Sequence, residues 1–474
     1  MGRRFADRVA AFIARHDLLW EGAEVVVGVS GGVDSMVCLS VLRRLGYAVR
    51  ALHVNYGLRE GADADEALVR RWCEEQTPPI PVEAVRLDAE ARAAERGESL
   101  QAAAREQRYE ALGTHAQSLG VDAVAVGHHQ DDQAETLLLN LLRGTGPDGL
   151  AGMPPRRPLE DAPDVSLIRP LLDVARSDIE AYSEREVIPW REDPSNRDPA
   201  FDRARLRSEV FPLLQEQFPN ATANIARAAG LMREYVEETL TPALETRLER
   251  AYADCAAGGQ LRLDVLRTEP PVWRRRLILA ALDRALPEAP QTAAVAREIA
   301  GLTDAQVGRR VEVGKGAVWH TRDGLRFLPT AARPEPIEAP VGVPWGGDVS
   351  VPQGTLRVEV LGERPDPLDT GTAHVEHADA DRLVEPLTLR PWRDGDWMRP
   401  LGLDGHKRVA DLLTDAQVPP HRRPAVCLLC TDEHPAWLVG HRLDHRVRVR
   451  PDTTTVARLT WRPHEKASDD CISP

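Results

Sequence analysis

The sequence reads as an α/β protein: a doubly wound parallel sheet, then a helical middle domain, then a small α+β C-terminal domain. Three observations lead there. In the first part, short apolar runs alternate with amphipathic stretches, the pattern of βαβ units and a parallel sheet. From Ala221 to Ala300 helix formers dominate, with apolar residues spaced by three and four, interrupted at Gly258-Gly259 and Pro270-Pro271. After a proline-rich stretch, short strand-like runs return near the end of the chain. At 474 residues the chain exceeds the size at which a single core keeps growing, and a 42% hydrophobic content is ordinary for globular proteins.

Taken in order, Val25 to Val29, Val49 to Val54, Val82 to Leu87 and Val121 to Val126 read as strands separated by helical patterns. The first block closes with the turn Glu192-Asp193-Pro194-Ser195-Asn196 and a helix around Arg203 to Gln217. Prolines recur too often between Pro329 and Pro352 for a helix, which places a connector with edge β structure there. Leu387 to Arg390, Ala425 to Cys430 and Trp437 to Gly440 then read as strands. The expected blocks are residues 1–217, 218–328, 329–374 and 375–474.

Charge and composition narrow the function classes. A net charge of −14 argues against non-specific nucleic-acid binding, so any RNA contact must be local. Positive charge is nearly all arginine, whose planar fork binds phosphate in bidentate fashion and stacks on bases. No uncharged apolar run is long enough to span a bilayer, and Asp7, Arg8, Arg15 and His16 interrupt any signal-like segment after Arg3-Arg4. A soluble cytoplasmic protein, with no membrane partner, is expected. Six scattered cysteines do not make a disulfide framework; Cys427 and Cys430, on a strand, point to opposite faces and read as buried-strand residues, not a zinc or redox pair.

Ser30-Gly31-Gly32-Val33-Asp34-Ser35 follows an apolar strand directly and precedes the helical run Met36 to Leu45. Strand, glycine turn and helix start make an anion site: glycines let the backbone approach phosphate, and the first N–H groups and the macrodipole favour negative charge. Ser30 and Ser35 add hydroxyls, and Asp34 would repel phosphate unless Mg²⁺ lay between, which makes it a candidate metal ligand. The plain alternative is a common turn with helix-start residues. No GxxxxGK[ST] occurs, so the site is not a kinase-type P-loop.

A second cluster, Gly127-His128-His129-Gln130-Asp131-Asp132-Gln133-Ala134-Glu135-Thr136, also ends a strand and begins a helix, the edge of a parallel sheet where ligands bind. Asp132 and Glu135 share one helical face and could hold Mg²⁺ or an ammonium; capping is the simpler account, and a metallohydrolase the main enzymatic alternative.

The hexapeptide resembles the pyrophosphate loop of the N-type ATP pyrophosphatases, with their adenine-nucleotide α-hydrolase-like fold. His53-Val54-Asn55-Tyr56-Gly57-Leu58-Arg59 resembles a segment that helps form the ATP pocket in one branch, the tRNA(Ile)-lysidine synthetases, with Tyr56 where histidine is frequent. The second cluster, continuing through Arg143-Gly144-Thr145-Gly146 to Gly152-Met153, is similar to that branch's signature. So are Ala104 to Tyr109, Arg169-Pro170-Leu171-Leu172, and Glu192 to Asn196 leading to Arg203-Ala204-Arg205-Leu206-Arg207. Near the C-terminus, Arg390 to Pro400, Lys407 to Leu413 and Val418 to Arg423 resemble the family's tRNA-binding domain.

The resemblance implies ATP and L-lysine as substrates, Mg²⁺ as cofactor, and a tRNA(Ile) with a CAU anticodon as partner; a homodimer is compatible with it. It implies ATP contacts from Ser30, Gly31, Gly32, Val33, Asp34, Ser35, His53 and Asn55, and catalytic roles for Asp34, Asp132, Glu135 and Arg108, with Arg105 the alternative to Arg108. It implies tRNA contacts from Arg205, Arg207, Arg390, Arg393, Trp397, Arg422 and Arg423, with middle and C-terminal domains helping to discriminate the tRNA. Two other readings compete: a tRNA thiolase, for which Cys38 and Cys73 make no reactive set, and an ATP-sensing RNA-binding protein without turnover.

Overall fold

The computed structural model describes residues 2–57, 61–192, 202–368, 371–403 and 405–464. The chain forms two compact units, Met1–Thr241 and Pro242–Pro474. The turn expected at Asp193 to Asn196, and Leu58 and Arg59 of the second motif, lie outside the described residues.

In the first unit, α1 (Gly2–Arg15) leads into β1 (Glu24–Gly28), α2 (Val33–Arg44), β2 (Ala48–Asn55), α3 (Ala62–Glu74) and β3 (Val82–Arg86). There follow α4 (Ala89–Arg96), α5 (Leu100–Leu119), β4 (Ala123–Ala125), α6 (Gln130–Leu142), α7 (Pro147–Leu150), β5 (Arg156–Pro158), β6 (Ser166–Ile168) and α8 (Arg176–Arg185). The sheet order is β3-β2-β1-β4-β6-β5, parallel except for the edge strand β5. Alternate residues of the central strands enter two different cores. Val25, Val27, Ala51, Ala123 and Ala125 pack with α1, α2 and α8; Val26, Leu52 and Val124 pack with α5 through Tyr109, Leu112 and Ala116. Apolar burial on both faces is why Val25 to Val27 is an unbroken valine run instead of an alternating one.

The order reverses between β1, which is followed by β2, and β4, which lies on its other side. In doubly wound sheets the crevice at that switch point, at the carboxyl ends of the strands, is where ligands sit. Beyond the sheet, α9 (Asp202–Arg205) runs through a π-helical turn, Leu206–Val210, into α10 (Phe211–Gln217), and α11 (Ala221–Tyr235) packs on α6. The sequence reading put α11 in the middle block; here it is part of the first unit.

The second unit begins with the helical segments expected of the middle, including Pro271–Ala285 and Ala293–Gly301. These pack on a five-stranded antiparallel sheet that periodicity did not reveal, formed by Tyr252–Asp254, Gly259–Arg262, Gly324–Pro329, Gly316–His320 and Arg310–Val313 in that order. Gly316–His320 is buried at every position, so it carries no alternation to read. The proline-rich stretch supplies Asp348–Val351 and Gly354–Leu361, which pair with each other and, through the latter, with Val456–Pro463. Cys427 and Cys430, on the strand Cys427–Cys430, enter two separate apolar clusters, as opposite-facing residues of a buried strand should. No helix among the described residues is long and apolar enough to cross a membrane.

Candidate active site

The crevice between β1 and β4 opens into a cleft of about 780 Å³ whose floor is two loops, Val29 to Gly32 after β1 and Val126 to His129 after β4. In the first loop Gly31 takes φ +87, a conformation a side chain resists, and its carbonyl accepts from the Arg191 N–H at 3.0 Å. The loop closes on itself: the Ser30 N–H donates to Ser35 Oγ at 3.1 Å, and Ser35 Oγ donates to the Gly32 carbonyl at 2.9 Å. Helix α2 starts at once, and its N-cap Gly32 offers no side chain to its first N–H groups. Those donors point where an anion would be bound.

Asp34 lies in the first turn of α2. Arg176 Nη1 donates to its Oδ2 at 2.6 Å, while Oδ1 is enclosed without a hydrogen-bond partner. Burial raises the Asp34 pKa, with His129 and Arg176 opposing. The second loop is pressed against this turn. A Cβ on Gly127 would lie 2.7 Å from the carbonyl carbon and oxygen of Asp34, so only glycine fits there. His129 caps α6, and its N–H donates to Asp132 Oδ2 at 3.0 Å. Burial alone would depress the His129 imidazole, but Asp132, Asp131 and Asp34 together raise its pKa to about 9. His128 moves the other way: burial, with nearby arginines, lowers it to about 3.

Asp132 and Glu135 share a cation, and that cation is Arg207. Its Nη2 donates to Asp132 Oδ1 at 2.7 Å and to Glu135 Oε2 at 2.9 Å, and its Nε donates to Glu135 Oε1. Burial opposes ionisation of both acids. Asp132 is nevertheless held well below the usual carboxylate range by His129, His128 and Arg207, whereas Glu135 is raised. Arg207 rides on the π-helical turn, whose extra residue per turn redirects a side chain and recurs at functional sites.

The cleft gathers Ser30, Gly32, Val33, Asp34, Ser35, Arg108, Asp132 and Glu135; Arg105 is not among its lining residues. Gly31 supports it from behind, with its missing Cβ 3.3 Å from Asp65 Cβ. Three assignments are corrected. His53 and Asn55 do not line the cleft, because side chains alternate along β2 and it is Leu52, Val54 and Tyr56 that face it. His53 instead ties the loop to the sheet, with Nδ1 2.8 Å from the Val29 carbonyl, and Asn55 donates to Asp63 and Glu66. Arg207, read as a tRNA contact, is engaged by the two acids of the cleft.

In the second unit, Arg390 makes a bidentate pair with Asp396 at 2.8 Å, which neutralises the charge it was expected to offer phosphate. Arg393 and Trp397 are exposed, the latter 43%, with the Arg446 guanidinium 4.9 Å from its ring centroid. Arg422 and Arg423 are half-buried, Arg423 donating to the Val418 carbonyl at 3.0 Å, and Arg205 is exposed. Arg176 is the cleft residue the sequence reading missed. It starts α8, far along the chain from Asp34, and no local motif announces it.

Among the described residues no group of three or more His, Cys, Asp or Glu could cage a metal. The enclosed, unbonded Asp34 Oδ1 nevertheless suits an ion that takes one protein oxygen and completes its shell with phosphate and water, as Mg²⁺ does.

Residues 1–214 match the family model described as PP-loop domain, and residues 387–461 the one described as TilS substrate C-terminal domain. The chain is 36% identical to the tRNA(Ile)-lysidine synthase of Symbiobacterium thermophilum, the alignment covering 98% of each chain. It is 32% identical to the protein of that name from Parabacteroides distasonis, over 94% of this chain and 98% of the other. It is 33% identical to that from Porphyromonas gingivalis, over 94% and 95%. An anion-binding loop apposed to paired acids at the switch point, and relatedness running through both units, agree: the chain belongs to the tRNA(Ile)-lysidine synthase family.

Proposed function

We infer that the cleft carries out ATP-dependent lysidine formation on the anticodon of tRNA(Ile), and that each of its two loops serves one substrate. The observation that supports this is the apposition of the loops: Gly127 brings the acid-bearing start of α6 against the donor-bearing start of α2. In the first step the C2 oxygen of the first anticodon cytidine attacks the α-phosphorus of ATP, and the bond to the bridging oxygen breaks to release pyrophosphate. Backbone N–H groups of Val33 to Ser35, with the Ser30 and Ser35 hydroxyls, hold the phosphates and stabilise charge on the leaving group. Mg²⁺, held by Asp34 Oδ1, would neutralise charge between phosphate oxygens.

In the second step the ε-amine of lysine, as free base, attacks C2 and expels AMP. Asp132 and Glu135 orient that amine and hold its proton before attack. They already bind a cation, Arg207, so an arriving ammonium shares the acids with the guanidinium or displaces it. Arg393 and Trp397 contact the tRNA at a distance from the chemistry. The test is to mix protein, ATP, lysine and transcribed tRNA with a CAU anticodon, and to measure AMP with and without each component. AMP that requires both lysine and tRNA is expected. Release that ignores lysine would overturn the reading.

A further inference from the structure

Beside the cleft, four arginines surround one buried tyrosine. The guanidiniums of Arg105, Arg108 and Arg157 lie 5.4, 5.3 and 5.3 Å from the centroid of the Tyr109 ring. Arg169 stands near enough to the same phenol to share its field, and is only 1% exposed. Cation–π contact accounts for holding one guanidinium over a ring, not for crowding several like charges there.

The charges are not balanced locally. Among the described residues no carboxylate is bonded to Arg105, Arg108 or Arg169, and Arg157 approaches Glu160 only at 3.9 Å, where Glu160 is 92% exposed. The carboxylates of α5 that could have served, Glu106 and Glu110, pair with Arg92 and Arg96 of α4. Two of the guanidiniums hold enclosed donors without acceptors, Arg108 Nε and Arg169 Nε. Burial and mutual repulsion pull Arg169 down to about 10, and the arginines pull the Tyr109 phenol below its ordinary value. In a chain of net charge −14 such a knot is costly unless an anion completes it.

Its position says which anion. Arg108 lines the cleft, and Arg105, Arg108 and Arg169 all act on His128, which also lines it. Arg105 and Arg157 carry the cluster outward, so it runs from the cleft wall to the surface. ATP already has a phosphate cradle in the loop after β1. What must pass from surface to cleft is the polynucleotide that delivers the base.

We propose that Arg105, Arg108, Arg157 and Arg169, gathered round Tyr109, bind a backbone phosphate of the RNA adjacent to the nucleotide that enters the cleft. The proposal rests on the RNA-modifying reading above, and on nothing known of the C-terminal patch. It makes the catalytic unit itself an RNA-binding surface, one that positions the base beside its adenylation site.

The test uses the full chain, an anticodon stem-loop RNA, and the variants Arg105→Ala and Arg157→Ala, neither of which removes an ion pair that holds the fold. RNA affinity is measured across a salt series, and ATP affinity separately. Each variant should weaken RNA binding several-fold at low salt and lower the log-affinity slope by about 0.7, the value of one lost phosphate contact on a single strand. A stem-loop carrying an uncharged methylphosphonate beside the first anticodon nucleotide should show the same loss with the unsubstituted protein. It should show no further loss with Arg157→Ala. Unchanged RNA affinity and slope in both variants would overturn the proposal, as would weakened ATP binding with RNA binding intact, which would make this a nucleotide-phosphate site. If the unsubstituted protein forms no AMP with lysine and tRNA, the functional reading fails instead, whatever the variants do.

Discussion

Replacing Gly127 with alanine tests whether the apposition of the two loops is what makes the cleft work. The new methyl would lie 2.7 Å from the Asp34 carbonyl carbon and oxygen and 2.9 Å from the Ser35 nitrogen. All three are backbone atoms, so no rotamer change relieves the clash. The loops must part by 0.3 Å to reach the 3.0 Å limit for real contacts, and by 0.7 Å to reach ordinary contact at 3.4 Å. Reaction requires atoms held at about 3–3.5 Å, and a misplacement of about 1 Å costs roughly 100-fold, so a loss of roughly tenfold or more in kcat/KM is expected. Overpacking of this kind costs about 1–3 kcal/mol, a fall in Tm of about 2–4 °C per kcal/mol for a unit of this size. AMP release dependent on lysine and tRNA gives the rate, and thermal unfolding the stability. The control is Gly146→Ala, at φ −88 with nothing within 4 Å of the added Cβ, which should behave as the unsubstituted protein. If the Gly127 variant matches that control, the apposition does not position the reacting groups.

Asp34→Ala should abolish AMP production while tRNA affinity survives, measured by filter binding; retained activity would remove Asp34 from the nucleotide site. Arg393→Ala should lower the slope of log affinity against log salt by about 0.7–0.9, whereas Trp397→Ala should cost about 1–3 kcal/mol with little change in slope, and a null result for both would place tRNA contacts elsewhere. Burial pushes the Cys38 and Cys427 thiols from 9.0 up to about 12. The folded state therefore keeps these protons where the unfolded chain loses them. That contribution to stability is complete below pH 9 and is lost as pH rises toward 12. Native protein at pH 9 should resist alkylation at both residues and react on unfolding; rapid labelling of either by mass spectrometry would contradict the buried placement.

What the sequence disclosed of the site was whatever lies contiguous along the chain. Ser30 to Ser35 and His129 to Glu135 each sit where a strand becomes a helix, so a local reading captures both geometry and chemistry. Arg176 and Arg207 were invisible in those roles, because their partners are brought from other parts of the chain by the fold. His53 and Asn55 show the opposite failure. They adjoin cleft residues in sequence, yet strand alternation turns them to the other face. At fold level, the parallel sheet announced itself through buried valine runs, whereas Tyr252–Asp254, only three residues long, left no comparable trace of the second unit's antiparallel sheet.

The strand order also governs when the cleft comes into being. β1 finds β2 soon after both leave the ribosome, but its other edge waits for β4, where Val26 pairs with Val124. At about 5–20 residues per second, roughly 100 intervening residues take about 5–20 s to appear. Through that interval the Val25 to Val27 edge stands uncovered, an unpaired apolar strand of the kind that invites wrong pairing. The phosphate loop is synthesised early yet has no opposing wall until Gly127 arrives, and no Arg207 between its acids until later still. A nascent chain stalled before β4 would thus hold the sequence of the nucleotide loop without a pocket, and would lean on chaperones at the strand that later anchors catalysis.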